Sequence, residues 1–283
     1  MIIDALILIL SSSIIQRALL ASVLIAVIAA TTGTFMVFRG LSFLTAGVAH
    51  AALGGVALAL FLQATGIAPW FDPILGAVVF AVFVAVMTAY AGERGIAQKM
   101  EVAVGVSFAL SMSVAVLLMY YLPPTMVPVI WSYLVGDILL LDNLDIILLL
   151  GVALSLVILF ILFKKEFIYV SIDMEGSSAH GMHARSYNYL MLIFAAVAIA
   201  LTIKAVGAIL VYAILIAPAA ASNEILKTIN NVIIGTFVIA LSAMLLGLAG
   251  SFPIYASPSA LAGIIAALSY IIAIQVKRYR HTK

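Results

Sequence analysis

Long apolar stretches, broken by isolated charges, run the whole length of the chain. Arg17 and Arg39 are separated by 21 uncharged residues, Asp72 and Glu93 by 20, and Asp145 and Lys164 by 18. Each gap matches the roughly 20 residues that a helix needs to cross the hydrocarbon of a bilayer. Three longer uncharged tracts must turn within themselves, and breakers stand where turns are needed: Gly66 and Pro69, Pro123 and Pro124, Pro253 and Pro258. The pattern predicts helices over 18–38, 41–62, 73–91, 102–121, 145–163, 187–203, 206–222, 229–249 and 259–276. Pro218 falls inside the seventh of these and should kink or end it.

The expected fold class is therefore an all-α polytopic membrane protein of about nine transmembrane helices, built as one domain over 1–283. Composition agrees: 66% of residues are hydrophobic and 8% charged, against roughly 45–50% apolar and about 25% charged in soluble domains. The absence of Cys excludes disulfides, thiolate metal sites and a nucleophilic thiol. A net charge of +2 leaves no basic patch of the kind nucleic acid needs. The opening MIIDALILIL lacks a basic flank and is not read as a signal peptide.

Basic residues gather on the cytoplasmic side of membrane proteins. With the N-terminus outside, eleven Lys and Arg fall inside, and only Arg17 and Lys204 fall outside. The acids Asp4, Asp72, Asp137, Asp142 and Asp145 leave the outer face at −3 and the inner face at +5. An acidic mouth would concentrate cations, while a plainer reading has Asp142 and Asp145 starting a helix. The outer stretch 122–144 mixes prolines and Gly136 with Trp131 and Tyr133, and reads as a short helix lying in or re-entering the outer surface. The longest polar stretch, 164–186, is inside and forms a natural docking surface for a cytoplasmic partner. Small residues at Gly54/Gly55, Gly207/Ala208 and Ala217 to Ser222 would let helix backbones approach closely.

Among candidates for chemistry, His50 stands apart. Ten positions into a helix that starts near Leu41, it lies about 15 Å deep, close to the midplane. Two readings stay open at this stage: a neutral imidazole hydrogen-bonded within the bundle, or a ligand for zinc or another transition ion. Ser42 and Thr45 are expected to bond backbone carbonyls, Lys204 to snorkel outward, and His180, His183 and His281 to be solvated. There is no G-x-x-x-x-G-K-S/T, no H-E-x-x-H and no Ser-centred elbow. The chain is thus not expected to be an enzyme, and any ATP hydrolysis would belong to a separate subunit.

Three stretches, LSFLTAGVAHAALGG at 41–55, WSYLVGDILLL at 131–141 and AVGAILVYAILIAPAAAS at 205–222, resemble the integral-membrane permease of ABC importers for zinc, manganese or iron. The resemblance spans almost the whole chain. It implies the ABC importer permease fold in the cytoplasmic membrane, with a second copy of the chain, cytoplasmic ATP-binding subunits and an extracytoplasmic metal-binding protein as partners. It also implies a divalent metal as substrate, with no cofactor held by this chain. His50, and more weakly Asp137, become candidate metal contacts. Ser177 and Gly181 match the small-x-x-x-Gly of the family's ATPase-docking helix, with Glu175 and Arg185 as rim charges. One departure matters: the family usually has an Asp four residues before the midplane His, where this chain has Ala46. Losing that carboxylate weakens manganese, which prefers oxygen ligands, more than zinc. The competing expectations are a permease for another small solute, such as a metal chelate, and a stand-alone secondary transporter. The second conflicts with the scarcity of intramembrane carboxylates.

Overall fold

The structure is a computed structural model that describes residues 12–92 and 97–281. The first ten residues and the charges counted at Asp4, Glu93, Arg94 and Lys283 lie outside the described residues. Within them the regular elements are helices: α1 Ser13–Phe38, α2 Ser42–Ala64, α3 Pro73–Ala91, α4 Ala97–Tyr121, α5 Val127–Val135, α6 Asn143–Ile172, α7 Met174–Ala179, α8 Ala184–Val206, α9 Val211–Ile225, α10 Ile229–Ile254 and α11 Pro258–His281. Eight of them are long and apolar enough to cross a membrane, and α9 is a shorter apolar helix. The chain is a multi-pass membrane protein of the expected all-α class.

Helix ends sort into two sets, as the layout of charges requires. One end joins Lys204 to Asp145 and Ser259 to the carbonyl of Ala205. The other joins Arg39 to Asn188, Lys164 to Asn230 and Lys277 to Glu224. The second set carries the basic excess, which the tendency of Lys and Arg to gather inside makes the inner end in this layout.

Most boundaries fall within a few residues of expectation, and the exceptions have physical causes. α6 runs on past Lys164 and Lys165 to Ile172, because a charge marks where the bilayer ends rather than where a helix must stop. α9 starts at Val211 instead of 206, because Gly207 turns the chain at φ 92°. Pro218 does not end α9, which continues to Ile225.

Small residues set the closest approaches. A Cβ placed on Gly55 of α2 would lie 1.9 Å from the carbonyl oxygen of Gly76 in α3, so only glycine permits this crossing. α5 buries Ile130 and Tyr133 and exposes Trp131, as an interfacial helix should. It is pinned to the α8–α9 turn by backbone bonds from Ala208 N to Tyr133 O (3.0 Å) and Ile209 N to Leu134 O (3.3 Å). α1 is interrupted at Ala29–Gly33 by a π-helical turn, where Gly33 abuts the carbonyl of Leu215.

Candidate functional site

α2 is apolar on all sides and buried almost throughout, since small residues let α3 and α4 close on it. Besides its outer end, from Leu58 to Ala64, one face of its inner half is partly exposed, at Ser42, Phe43, Ala46 and His50. His50 Nδ1 lies 2.9 Å from the carbonyl oxygen of Ala46. A carbonyl only accepts, so Nδ1 is the donor in that bond, which leaves Nε2 as the nitrogen that could face a ligand. The ring stands edge-on to Phe108 of α4, with centroids 5.3 Å apart. The imidazole is held in one tautomer and one orientation, with its ligand nitrogen free of that bond. Ala46, one turn earlier, contributes only its backbone. Thr45 does not meet the expected carbonyl: its hydroxyl is fully buried and makes no hydrogen bond. Among the described residues, no group of three or more His, Asp or Glu comes together to hold a metal.

At the outer end, Lys204 does not snorkel freely. Its ammonium lies 2.8 Å from Asp145, which is only 4% exposed, and 3.7 Å from Asp142. Asp142 and Asp145 form a reciprocal capping box at the start of α6, each carboxylate accepting the other's backbone N–H at 2.9 Å. The plainer reading of these two acids is therefore the structural one. The Asp145 amide, with help from Lys204, holds the Asp142 carboxyl below the usual carboxylate range. Burial, then the fields of Asp72, Asp145 and Asp142, push the Tyr133 phenol up. Asp137 caps the short turn Ile138–Leu140 by accepting from Leu139 N at 2.9 Å, and it borders a cleft with Ser132, Lys204 and Ser257. His50 and Asp137 belong to different levels of the bundle, and no contact joins them.

At the inner end, α7 is a six-residue helix started by Asp173, whose carboxylate accepts from Gly176 N at 2.8 Å. Gly181 closes it at φ 81°, a backbone region open to glycine. Ser177 turns inward: it is buried and donates to the Asp173 carbonyl at 2.6 Å. Glu175, Ser178, Ala179, His180, Gly181 and Arg185 are exposed. Sequence reasoning missed one inner contact, Arg39 Nη1 donating to Asn188 Oδ1 at 2.6 Å. The signal lay in the chain, as an arginine without a nearby acid directly before the glycine turn into α2.

The chain belongs to the ABC 3 transport family, whose model matches residues 11–277. It is 28% identical over 233 residues to the manganese import system permease protein ScaB of Streptococcus gordonii, covering 82% of this chain and 80% of that one. It is 26% identical over 232 residues to the high-affinity zinc uptake system membrane protein ZnuB of Haemophilus influenzae, covering 82% and 85%. PsaBC from Streptococcus pneumoniae, solved in complex with Fab, shares the fold with a TM-score of 0.80 and 24% identity, over 96% of this chain and 95% of that one. The protein is thus a multi-pass membrane protein of this transport family.

Proposed function

We propose that the chain passes a divalent transition-metal ion inward between two copies of itself, with zinc ahead of manganese and iron. The observation that carries this is His50: an ionisable side chain at mid-bilayer depth that opens on the outside of its own bundle. Such a group is not left against lipid and belongs in a bundle interior or a water-filled path. A second copy, packed against the inner half of α2, would enclose that path and bring two Nε2 donors together.

The donor set orders the metals. Two neutral imidazoles without carboxylates suit zinc better than manganese. Relatives named for manganese and for zinc match at 28% and 26% identity, too close to decide. Weak ligation also suits transport, because an ion must leave as readily as it arrives.

A separate ATPase would dock at α7, whose exposed edge from Glu175 to Gly181, with Arg185 beyond, faces the cytoplasm in this layout. An extracytoplasmic binding protein would deliver the ion at the outer face near α5 and Asp137. Metal analysis of cells with and without the assembled transporter, across zinc, manganese and iron, tests the assignment. Zinc should rise most; a rise in manganese alone would overturn the ordering, and no rise in any of the three would overturn metal transport.

A further inference from the structure

The inner ends of α1, α6 and α8 form one packed unit next to the helix read above as the docking site. Phe35 of α1 lies 5.8 Å from Phe160 and 5.9 Å from Phe167 of α6, and Phe167 lies 6.4 Å from Tyr187 of α8. α7 is the link between α6 and α8, so any push on it reaches this unit first.

Two of the three helices are interrupted, α1 on the membrane side of this unit and α6 within it. α1 has the π-helical turn Ala29–Gly33, and α6 loses helical geometry at Phe163, with φ −119° and ψ 21°. π-Helical turns such as that of α1 are frequent at functional sites, and a non-helical residue such as Phe163 marks a kink. The inner part of α1, Thr34–Phe38, is thereby set off from the rest of its helix.

That short piece leads directly into α2. Arg39 follows it, Gly40 turns at φ 66°, and α2 begins at Ser42 with His50 two turns along. Ring contacts resist separation but allow sliding, whereas a shielded hydrogen bond from a charged donor is short and directional. The Arg39–Asn188 bond supplies that register. Asn188 is fully buried in the second turn of α8, and its Nδ2 makes no hydrogen bond. Among the described residues, the polar contact of its side chain is the acceptor facing Arg39. Arg39 forms no ion pair among the described residues, and burial pulls its guanidinium down to about 10, so it remains charged at neutral pH.

We propose that Arg39 is a positioning residue for transport, carrying movement of the docking segment from Asn188 into α2 and so to His50. This rests on the reading of α7 as the ATPase-docking helix. The bond works as a coupling rod: α8 shifts with α7, Arg39 follows Asn188, and the inner half of α2, including Ala46 and His50, is displaced.

The test uses the assembled transporter in lipid with Ala46→Cys as the reporter in this Cys-free chain. The labelling rate by a small thiol reagent is compared between nucleotide-free and vanadate-trapped states. In Arg39→Met and in Asn188→Leu the two rates should become equal while the ATPase stays bound, and transport per ATP should fall about 10-fold. Asn188→Asp keeps the acceptor, forfeits no bond of Nδ2, and should preserve the rate difference. A parental rate difference in Arg39→Met or Asn188→Leu overturns the inference. So does loss of the ATPase from both, since Arg39 would then be holding the docking surface rather than passing on its motion. If the rate difference instead survives bulky residues at Ala179 and Gly181 together, the docking reading fails, on residues separate from Arg39.

Discussion

Replacing Gly55 with Ala should loosen the crossing that holds α2 in place, and the size of the effect follows from geometry. The new Cβ would lie 1.9 Å from the Gly76 oxygen, 2.4 Å from its carbonyl carbon and 2.9 Å from Ala77 N. Relief to the 3.0 Å below which real Cβ contacts essentially never fall needs a shift of at least about 1.1 Å. The obstacle is helix backbone, not the end of a flexible side chain, so α2 and α3 must part. A gap of about 0.5–1 Å already forfeits a quarter to a half of each contact it opens. Overpacking costs about 1–3 kcal/mol, and a backbone obstacle argues for the upper end, about 3 kcal/mol. Gly105 is the control, because nothing lies within 4 Å of a Cβ built there. Gly105→Ala should be neutral or gain up to about 1 kcal/mol of helix propensity. Equilibrium unfolding in mixed micelles compares the two. Gly55→Ala within about 0.5 kcal/mol of the parent, a surface-like effect, would refute the close-packed α2–α3 crossing.

Other outcomes follow from the two ends of the bundle. Lys204→Met strands Asp145 in a buried site and should destabilise by about 2–3 kcal/mol, discounted from a fully buried pair because Lys204 is 31% exposed; Lys204→Met with Asp145→Leu should recover much of that loss in a thermal-unfolding comparison. The depressed Asp142 carboxyl contributes stability that is present above its unfolded value of about 3.9 and lost as pH falls through its lower folded value; Asp142→Asn should therefore flatten the acid limb of a stability–pH profile below about pH 4. Ala179→Trp, on an exposed position of α7, should uncouple ATP hydrolysis from transport with the permease still folded, and coupling at the parental level would remove α7 as the docking helix. Single cysteines at 63–72 and 122–144 should react with an impermeant reagent from outside and those at 166–185 should not, the reverse pattern contradicting the orientation.

The spans were readable because charge is expensive in hydrocarbon, so Arg17, Arg39, Asp72, Asp145 and Lys164 mark the bilayer's edges almost directly. Helix ends were less readable, since α6 continues beyond Lys164 packed against α1 and α8, and α9 yields its first turn to the Gly207 turn, where Ala208 N donates to Tyr133 O. Lys204 looked like a solitary interfacial cation because its partner Asp145 is 59 residues away, and no local pattern encodes that pairing. The depth of His50 could be counted from the helix start. Its exposed face could not, because α2 is small and apolar all round and only the fitted positions of α3 and α4 reveal the open side. The π-helical turn in α1 likewise depends on the close approach of Gly33 to Leu215, a tertiary contact with no signature in AATTG.

The central claim is that His50 meets the ion in transit, and zinc uptake into proteoliposomes tests it most directly. Parent and His50→Ala permeases, each assembled with its ATPase and binding protein and matched for dimer content, are compared with and without ATP. Uptake by His50→Ala should drop to the ATP-free level, while Ala46→Asp should strengthen binding or move preference toward manganese. Uptake by His50→Ala at the parental rate, with the same order of metals, would contradict the claim and leave His50 as a packing residue against Phe108.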